Sequence, residues 1–555
     1  MRLNKTVPSP LIAALRRDLI TSSFSVETVG ELWGGSAAAA LFRGQRLPAI
    51  RALQRRRDDG IPPTRAETLA ALFVLNVPVD RQHAEAALPN LTVAGALELG
   101  LVGELPTDSS IDSRTDSSID SRTDSFTAGA SQLTALLDLR PYSFVDALGA
   151  GSWWILSDLG EVALGGRPLE PNHVLGVGGA STTLSGLMIN EPVGRVLDLG
   201  TGCGIQALHA SRHARTVIAT DISERALWLA GLNAEINAID NIEFRLGSLF
   251  EPVAGETFDQ IVSNPPFVIT PRLEGVPLYE YRDAGLVGDE LVATVIRGCE
   301  GHLAPGGIAQ LLGNWEYRGQ GTQHEQHEQT DGLERVRSWL SASTLDAWVI
   351  ERELQDAPQY AETWIRDGGT RPGTAEFDTL YASWLDDFEA RAVTHVGFGY
   401  VLLRNDQQRP AAQPPMRRFE RLDGARGSNP AGLGHYFATS LEGYDWQLAK
   451  SDEELLASTV SYAADVTEER HYWPGQENPT VMSLRQGSGF ARTVSLGTAL
   501  AALVGACDGE LSIGQICGAI AHLLDVNELE LLVEVLPSVR ELIIDGFLLP
   551  DQLHA

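Results

Sequence analysis

Two short stretches carry the residue types on which chemistry turns. The first is Gly200-Thr201-Gly202-Cys203-Gly204, directly after an apolar run. The second is Asn264-Pro265-Pro266-Phe267, about sixty residues further on. Glycine has no Cβ, so the first stretch can turn sharply and approach a ligand closely. Asp198 stands two residues before the first glycine, where it suits a cationic or amino-bearing ligand end rather than a pyrophosphate. The spacing also lacks the third glycine of the dinucleotide fingerprint GxGxxG. In the second stretch, the Asn264 side-chain oxygen and the Pro265 carbonyl can each accept one hydrogen of a planar –NH2 group. Such a nitrogen is a poor nucleophile while its lone pair is delocalised, and two acceptors favour its more tetrahedral state. Phe267 offers a flat face on which a planar amide or base can stack, and the two prolines hold both acceptors aimed.

The elements that must position these stretches alternate between strand and helix over residues 194–404. That order predicts a mostly parallel sheet with helices on both faces, and ligands at the carboxyl ends of its strands. Strands are expected at Arg195–Leu199, Thr216–Thr220, Ile242–Leu246, Phe258–Ser263, Ile308–Gly313, Leu345–Arg352 and His395–Arg404. Helices are expected at Ile205–Ala214 and Glu224–Asn237, and a loop at Leu303-Ala304-Pro305-Gly306-Gly307. Asp221 ends the second strand, where a carboxylate can accept from two ribose hydroxyls. An acid there suits a nicotinamide dinucleotide as well, so the position does not discriminate.

Val196–Gly204 (VLDLGTGCG), Asp221 and Ser263–Val268 (SNPPFV) together resemble the class I methyltransferases of the small methyltransferase domain group. That group includes the HemK-type glutamine-N5 methyltransferases of release factors and enzymes that methylate exocyclic nitrogens of adenine or guanine. The resemblance covers about residues 170–315. It implies S-adenosyl-L-methionine as cofactor, held by Asp198, Gly200, Thr201, Gly202 and Gly204 at its methionine end. It puts Asp221 at the ribose, Ser248 and Leu249 at the adenine, Ile222 among the cofactor contacts, and Asn264 beside cofactor and acceptor. Asn264, Pro265, Pro266 and Phe267 become the catalytic set. Ser248 stands where relatives usually carry an acid, and its hydroxyl is a weaker acceptor. Gly176–Thr183 falls where the family has a covering loop. The implied leaving group is a sulfonium, already activated, so catalysis needs neither a metal nor a strong base. The acceptor stays open between an RNA base and a protein glutamine. Phe267 is common among enzymes acting on bases, whereas Val268-Ile269-Thr270 looks more like the glutamine enzymes.

The chain has 555 residues, 43% apolar and 21% charged, with a net charge of −31. That length predicts several domains with real cores, and that charge opposes non-specific nucleic-acid binding. The charge is uneven: residues 1–57 hold ten Arg or Lys against Asp18, Glu27 and Glu31. The plain reading is a solvated helical face; the sharper one is a patch for an anionic partner. No leader, no membrane span and no CxxC among Cys203, Cys299, Cys507 and Cys517 is evident. The expectation is a cytoplasmic protein with neither a disulfide framework nor a metal. Cys203 reads as a small filler, Trp153 and Trp154 in the strand Ser152–Leu159 as core, and Tyr281-Arg282-Asp283 as a surface ion pair. His324 and His327 sit in the repetitive Gln323–Gln329, read as a surface loop.

The fold class is thus α/β: a Rossmann-like class I methyltransferase sheet flanked by an N-terminal helical domain, loosely winged-helix-like, and a C-terminal winged-helix-like domain. The expected units are 1–105 helical, 106–127 a low-complexity linker, 128–404 catalytic with its core from about 190, 405–430 a second linker, and 431–555. The first linker contains Asp108–Thr115, repeated word for word as Asp116–Thr123. N-terminal helices are expected at Ala66–Asn76, Asp80–Leu88 and Thr92–Leu99, the last two joined by a Pro89-Asn90 turn. C-terminal helices are expected at Leu496–Ala506, Ile513–Leu524 and Glu528–Ile544, with Asp508-Gly509 as a turn and Gly546–Leu549 as a strand. The methyl acceptor would be a macromolecule, ribosomal RNA or a translation factor. Two other classes compete: a non-catalytic nucleic-acid-binding or cofactor-sensing regulator, and a nicotinamide oxidoreductase. The Asn264–Phe267 clamp is superfluous for the first, and the glycine loop is wrong for the second.

Overall fold

The computed structural model describes residues 10–105, 131–164, 169–272, 276, 285–319, 331–407, 409 and 413–551. The eight-residue repeat, Tyr281-Arg282-Asp283 and the Gln323–Gln329 run lie outside them. The chain forms two compact units. One comprises Met1–Phe144, Ala150–Leu184 and Pro192–Glu420; the other comprises Val145–Gly149, Ser185–Glu191 and Arg421–Ala555.

The centre of the first unit is an eight-stranded sheet: β1 (Val193–Leu199), β2 (Ala214–Asp221), β3 (Ile242–Leu246), β4 (Phe258–Ser263), β5 (Leu303–Arg318), β6 (Asp346–Asp356), β7 (Val393–Arg404) and β8 (Arg417–Arg421). Their order is β8-β6-β7-β5-β4-β1-β2-β3. The pairs β3/β2, β2/β1, β1/β4 and β4/β5 are parallel, whereas β5/β7 and β7/β6 are antiparallel. Val196, Leu197, Leu199, Ile261 and Val262 are all fully or almost fully buried. Both faces of the parallel strands are covered, which is why they read as continuous apolar runs rather than as alternation.

Helix α1 (Ile205–Ala210) follows β1, and α2 (Glu224–Ile236) follows β2. The first is shorter than the Ile205–Ala214 expected from sequence. The chain turns after Ala210, and Ala214 pairs with Val193 as the start of β2. Sheet pairing here overrides the helical preference of alanine. The expected loop Leu303–Gly307 lies within β5 as an irregularity: the register with β4 shifts between Leu303 and Ile308.

The connection from β6 to β7 carries two helices that the sequence reading did not separate out, α3 (Ala357–Asp367) and α4 (Ala375–Ala390). They bury Tyr360, Trp384 and Phe388 with Val268 and Ile269. The expected linker 405–430 is also part structured, since β8 extends the sheet. Buried Asp346 fixes its start by accepting from Met416 N–H at 2.7 Å, from Arg409 Nη1 at 2.5 Å and from Arg404 Nη2 at 2.9 Å.

The N-terminal portion begins with helices Pro10–Thr21, Val26–Phe42 and Leu47–Asp58. The expected Ala66–Asn76 helix is Arg65–Leu69 continuing as a π-turn through Val74. Helices Arg81–Ala87 and Thr92–Glu98 flank the Pro89-Asn90 turn, where buried Asp18 accepts from Leu91 N–H at 2.8 Å and Asn90 Nδ2 at 2.7 Å. A small sheet pairs Gln132–Ala135 with Val79–Asp80 and Val102–Glu104. The stretch 106–127 is therefore bracketed by two strands of one sheet, and the break expected at 128 does not separate two folding units. Trp153 is buried in strand Gly149–Asp158, and Trp154 Nε1 donates to the Phe24 carbonyl at 2.7 Å.

The second unit contains helices Thr498–Gly505, α5 (Ile513–Leu524) and α6 (Glu528–Ile544) around one apolar cluster. Asp508-Gly509, expected as a turn, instead opens strand Asp508–Ser512. That strand pairs with Thr459–Tyr462, which in turn pairs with Leu548–Pro550. A second three-stranded sheet, from Val466–His471, Val481–Gln486 and Thr493–Ser495, has no counterpart in the sequence reading. No described helix is long and apolar enough to cross a membrane.

Candidate functional site

The residues singled out by sequence gather at the carboxyl ends of four adjacent strands, β3, β2, β1 and β4. Asp198 pairs with Ala219 on one side and Val262 on the other, and Asp221 pairs with Leu246. Thus the glycine loop, Asp221, Ser248 and Asn264 all emerge from one edge, as ligand sites of open α/β sheets do.

Asp198 is fully buried. Its Oδ2 accepts from Thr201 Oγ1 at 2.5 Å and from Ala207 N–H at 2.9 Å. Ala207 is the third residue of α1, whose N-cap Gly204 has no side chain to offer, so Asp198 caps the helix from the strand. Asp198 Oδ1 finds no partner in the protein. Burial pushes this carboxyl up from 3.8 to about 7. The Thr201 and Ala207 hydrogen bonds oppose the shift, and the negative charge of Asp221 adds to it. A buried acid with one empty oxygen is matched by a ligand that brings a positive charge or an N–H donor.

The three glycines have different tasks. All have positive φ, at 77° for Gly200, 55° for Gly202 and 87° for Gly204. A Cβ on Gly200 or Gly202 would meet nothing, whereas one on Gly204 would lie 2.9 Å from Ala230 Cβ and 3.1 Å from its Cα. Gly204 lets α2 pack against the loop; Gly200 and Gly202 leave open space where a ligand approaches. Cys203 between them is buried, and burial pushes its thiol up to about 11, so it fills space and is no nucleophile.

Asp221 Oδ2 accepts from Gly202 N–H and Oδ1 from Ser223 N–H, each at 2.9 Å. The adjoining Ile222 side chain is 63% exposed, an apolar surface beside an acceptor. Ser248 and Leu249 lie half-buried in the turn after β3. The Ser248 carbonyl accepts from Glu251 N–H at 3.0 Å, and Leu249 has φ 45°. Gly176–Thr183 is loop only at its start, because helix Gly179–Leu187 begins within it. Gln206 Nε2 ties it to α1 through the Ser181 carbonyl at 2.7 Å.

At the acceptor end, Asn264 Oδ1 is buried and without a partner in the protein. Ser263 Oγ donates to the Leu199 carbonyl at 2.7 Å, clamping the acceptor loop to the residue before Gly200. Pro265 is buried, while Pro266 and Phe267 are half-buried. The Phe267 ring meets Trp364 and Phe398 edge-on, with centroids 6.1 and 6.3 Å apart.

Three further residues hold this site, and sequence reading missed them. Asn314 Nδ2, from β5, donates to the Phe267 carbonyl at 2.7 Å and to Tyr360 Oη at 3.1 Å. Tyr360 Oη, from α3, accepts from Ile269 N–H at 2.9 Å. Asn233, from α2, donates to the Cys203 carbonyl at 2.8 Å and to the Leu156 carbonyl at 2.9 Å. A buried asparagine in an otherwise apolar stretch is the one signal each Asn gave. Among the described residues no group of three or more His, Cys, Asp or Glu gathers as a metal site.

Comparison with known proteins finds three separate matches along the chain. Residues 177–275 match a family described as Methyltransferase small domain. Residues 21–110 and 439–550 match two other families, described as Domain of unknown function (DUF7059) and Domain of unknown function (DUF7782). Around the methyltransferase small domain, the chain is 36% identical over 166 residues to the release factor glutamine methyltransferase of Xylella fastidiosa, covering 28% of this chain and 59% of that one. It is 42% identical over 130 residues to the release factor glutamine methyltransferase of Yersinia pestis, covering 22% and 47%. It is 32% identical over 182 residues to the ribosomal protein uL3 glutamine methyltransferase of Bradyrhizobium diazoefficiens, covering 29% and 56%. The chain spans about half the length of these relatives.

Proposed function

We propose that this protein transfers a methyl group from S-adenosyl-L-methionine to the side-chain amide nitrogen of a glutamine in a protein of the translation apparatus. The observation that carries the reading is the orphaned, buried Asn264 Oδ1, just past the end of the strand that pairs beside Asp198. A buried amide oxygen without a partner costs free energy, on the order of 1–3 kcal/mol, that an N–H donor from a ligand recovers. The named relatives are glutamine methyltransferases, which favours that acceptor over an RNA base.

The bound cofactor supplies a methyl group activated by its sulfonium. Asp198 and the open faces of Gly200, Thr201 and Gly202 suit its amino-acid end, Asp221 its ribose, and Ile222, Ser248 and Leu249 its adenine. Asn264 Oδ1 and the Pro265 carbonyl accept the two amide hydrogens and turn the nitrogen lone pair outward. Phe267 stacks on the amide plane, and Pro266 keeps the loop rigid. The N–C bond would form as the methyl–sulfonium bond breaks, with that bond's electron pair left on sulfur, and the nitrogen's excess proton would depart to solvent. Catalysis of this kind is positioning and fixed electrostatics. Such a substrate sets the reaction in the cytoplasm.

The test is incorporation of labelled methyl from S-adenosyl-L-methionine into separated release factors, ribosomal proteins and ribosomal RNA. Label in a protein fraction, recovered as N5-methylglutamine and absent with Asn264→Ala, is the expected result. Label in RNA alone would replace glutamine by a base. Binding of the cofactor with no transfer to any fraction would favour a cofactor-sensing regulator.

A further inference from the structure

The second unit carries a surface that the methyltransfer reading does not use. At the corner between α5 and α6, five large apolar side chains stand out of the fold. Leu523 is 81% exposed, Leu529 73% and Val533 78%, and Leu524 and Val526 are also exposed. Leu529 and Val533 are one helical turn apart on the outer face of α6. The inner face is already occupied by buried Leu531, Val535, Leu536 and Val539. Five large apolar side chains exposed at one helix corner mark an interaction site rather than a solvated face.

Its rim is strongly acidic. Asp525, Glu528, Glu530 and Glu534 are all exposed and interleave with the apolar residues. From Asp508 to Asp551 the sequence has nine carboxylates and one arginine, Arg540. That arginine is held by Asp452 Oδ1 at 2.7 Å and the Gln447 carbonyl at 2.6 Å. No lysine and no other arginine stands on these helices to meet a phosphate.

The charge selects the occupant. Nucleic acid is repelled, because its binding depends on phosphate neutralisation. An anionic lipid surface is repelled for the same reason. A second copy docked by two-fold symmetry would set these carboxylates against one another. What remains complementary is an amphipathic helix bearing leucine-like residues along one stripe and Lys or Arg beside it.

We propose that the α5–α6 corner is a docking face for a basic amphipathic helix of a partner protein. It is not the nucleic-acid-reading surface that a winged-helix module would present. The inference is independent of the methyltransfer reading.

The test titrates the full chain against a fluorescent peptide of about 18 residues built from Leu, Lys and Ala, with leucines at helical spacing. A scrambled peptide of the same composition controls for charge alone. The patterned peptide is expected to bind at least about tenfold more tightly than the scrambled one. Leu529→Ser combined with Val533→Ser is expected to abolish that difference while leaving the thermal unfolding curve in place, since both side chains are exposed. Glu528→Lys with Glu534→Lys is expected to weaken both peptides. Equal affinity for the two peptides, or a difference that survives the double serine variant, would overturn the proposal. So would sedimentation showing a dimer that the serine variant dissociates, because the face would then belong to a second copy.

Discussion

The two loops at the head of the sheet are built on opposite plans. The glycine loop is held by residues no more than 30 away in sequence: Asp198 caps α1, Thr220 accepts from Gly200 and Thr201, Asp221 accepts from Gly202, and Asn233 donates to the Cys203 carbonyl. The acceptor loop is held from afar, by Leu199, Asn314 and Tyr360, 47 to 91 residues distant along the chain. A loop wired locally tolerates drift in the rest of the fold. One wired remotely is aimed only when β5 and α3 are in place, so its geometry reports on the tertiary structure.

Asn264→Ala tests the acceptor side most severely. Methyl transfer is expected to fall by about 10²–10³, the usual effect of losing one aimed polar group. Cofactor affinity by calorimetry should change little. Unfolding stability should not fall, since the lost oxygen has no partner in the protein. A large loss of stability would mean that Asn264 is structural.

On the glycine side, Gly204→Val is expected to cost about 3 kcal/mol in denaturant unfolding. Left-handed φ and a clash with Ala230 act together there. Gly202→Ala should cost about 1 kcal/mol, from backbone conformation alone, while weakening cofactor binding. Equal stability losses would erase the distinction between a packing glycine and a ligand-facing one.

Tyr360→Phe sharpens the remote wiring. It leaves the ring in its cluster but strips the acceptor from Ile269 N–H, at an expected cost of about 1–2 kcal/mol. Transfer should slow about tenfold with cofactor affinity unchanged. An unaltered rate would show that the loop aims itself.

The smallest effect concerns pH. Asp198 has its carboxyl raised in the fold to about 7. Its contribution to stability is therefore fully present below about pH 4 and is lost as pH rises through about 7. Asp198→Asn should flatten the decline in unfolding free energy across that window. A cationic ligand end favours the ionised form, so cofactor affinity should rise as pH passes 7, with proton release measurable in buffers of different ionisation enthalpy. An affinity independent of pH would remove Asp198 from the ligand.

The local plan explains what was legible. Val196–Gly204 and Asp221 announce strand, turn and acid within about 25 residues, and β3, β4, α5 and α6 have the bounds their patterns predicted. Elements that failed did so where a distant partner decides. β8 reads as linker because Arg417–Arg421 has a single apolar residue, Phe419, and it joins the sheet where Asp346 pins its entry. The strand at Asp508 begins with Asp-Gly, a turn signal, yet pairs with Thr459–Tyr462.

The sequence by itself determined which residues could do chemistry and that they stand at strand ends, because residue type and short-range periodicity are local properties. Tertiary structure alone decided three things. Asn264 Oδ1 and Asp198 Oδ1 are buried without partners, Gly204 packs while Gly200 and Gly202 stay open, and Asn314 and Tyr360 brace the acceptor loop. Burial and remote hydrogen bonds depend on which strands become neighbours, and strand order is a property of the whole sheet.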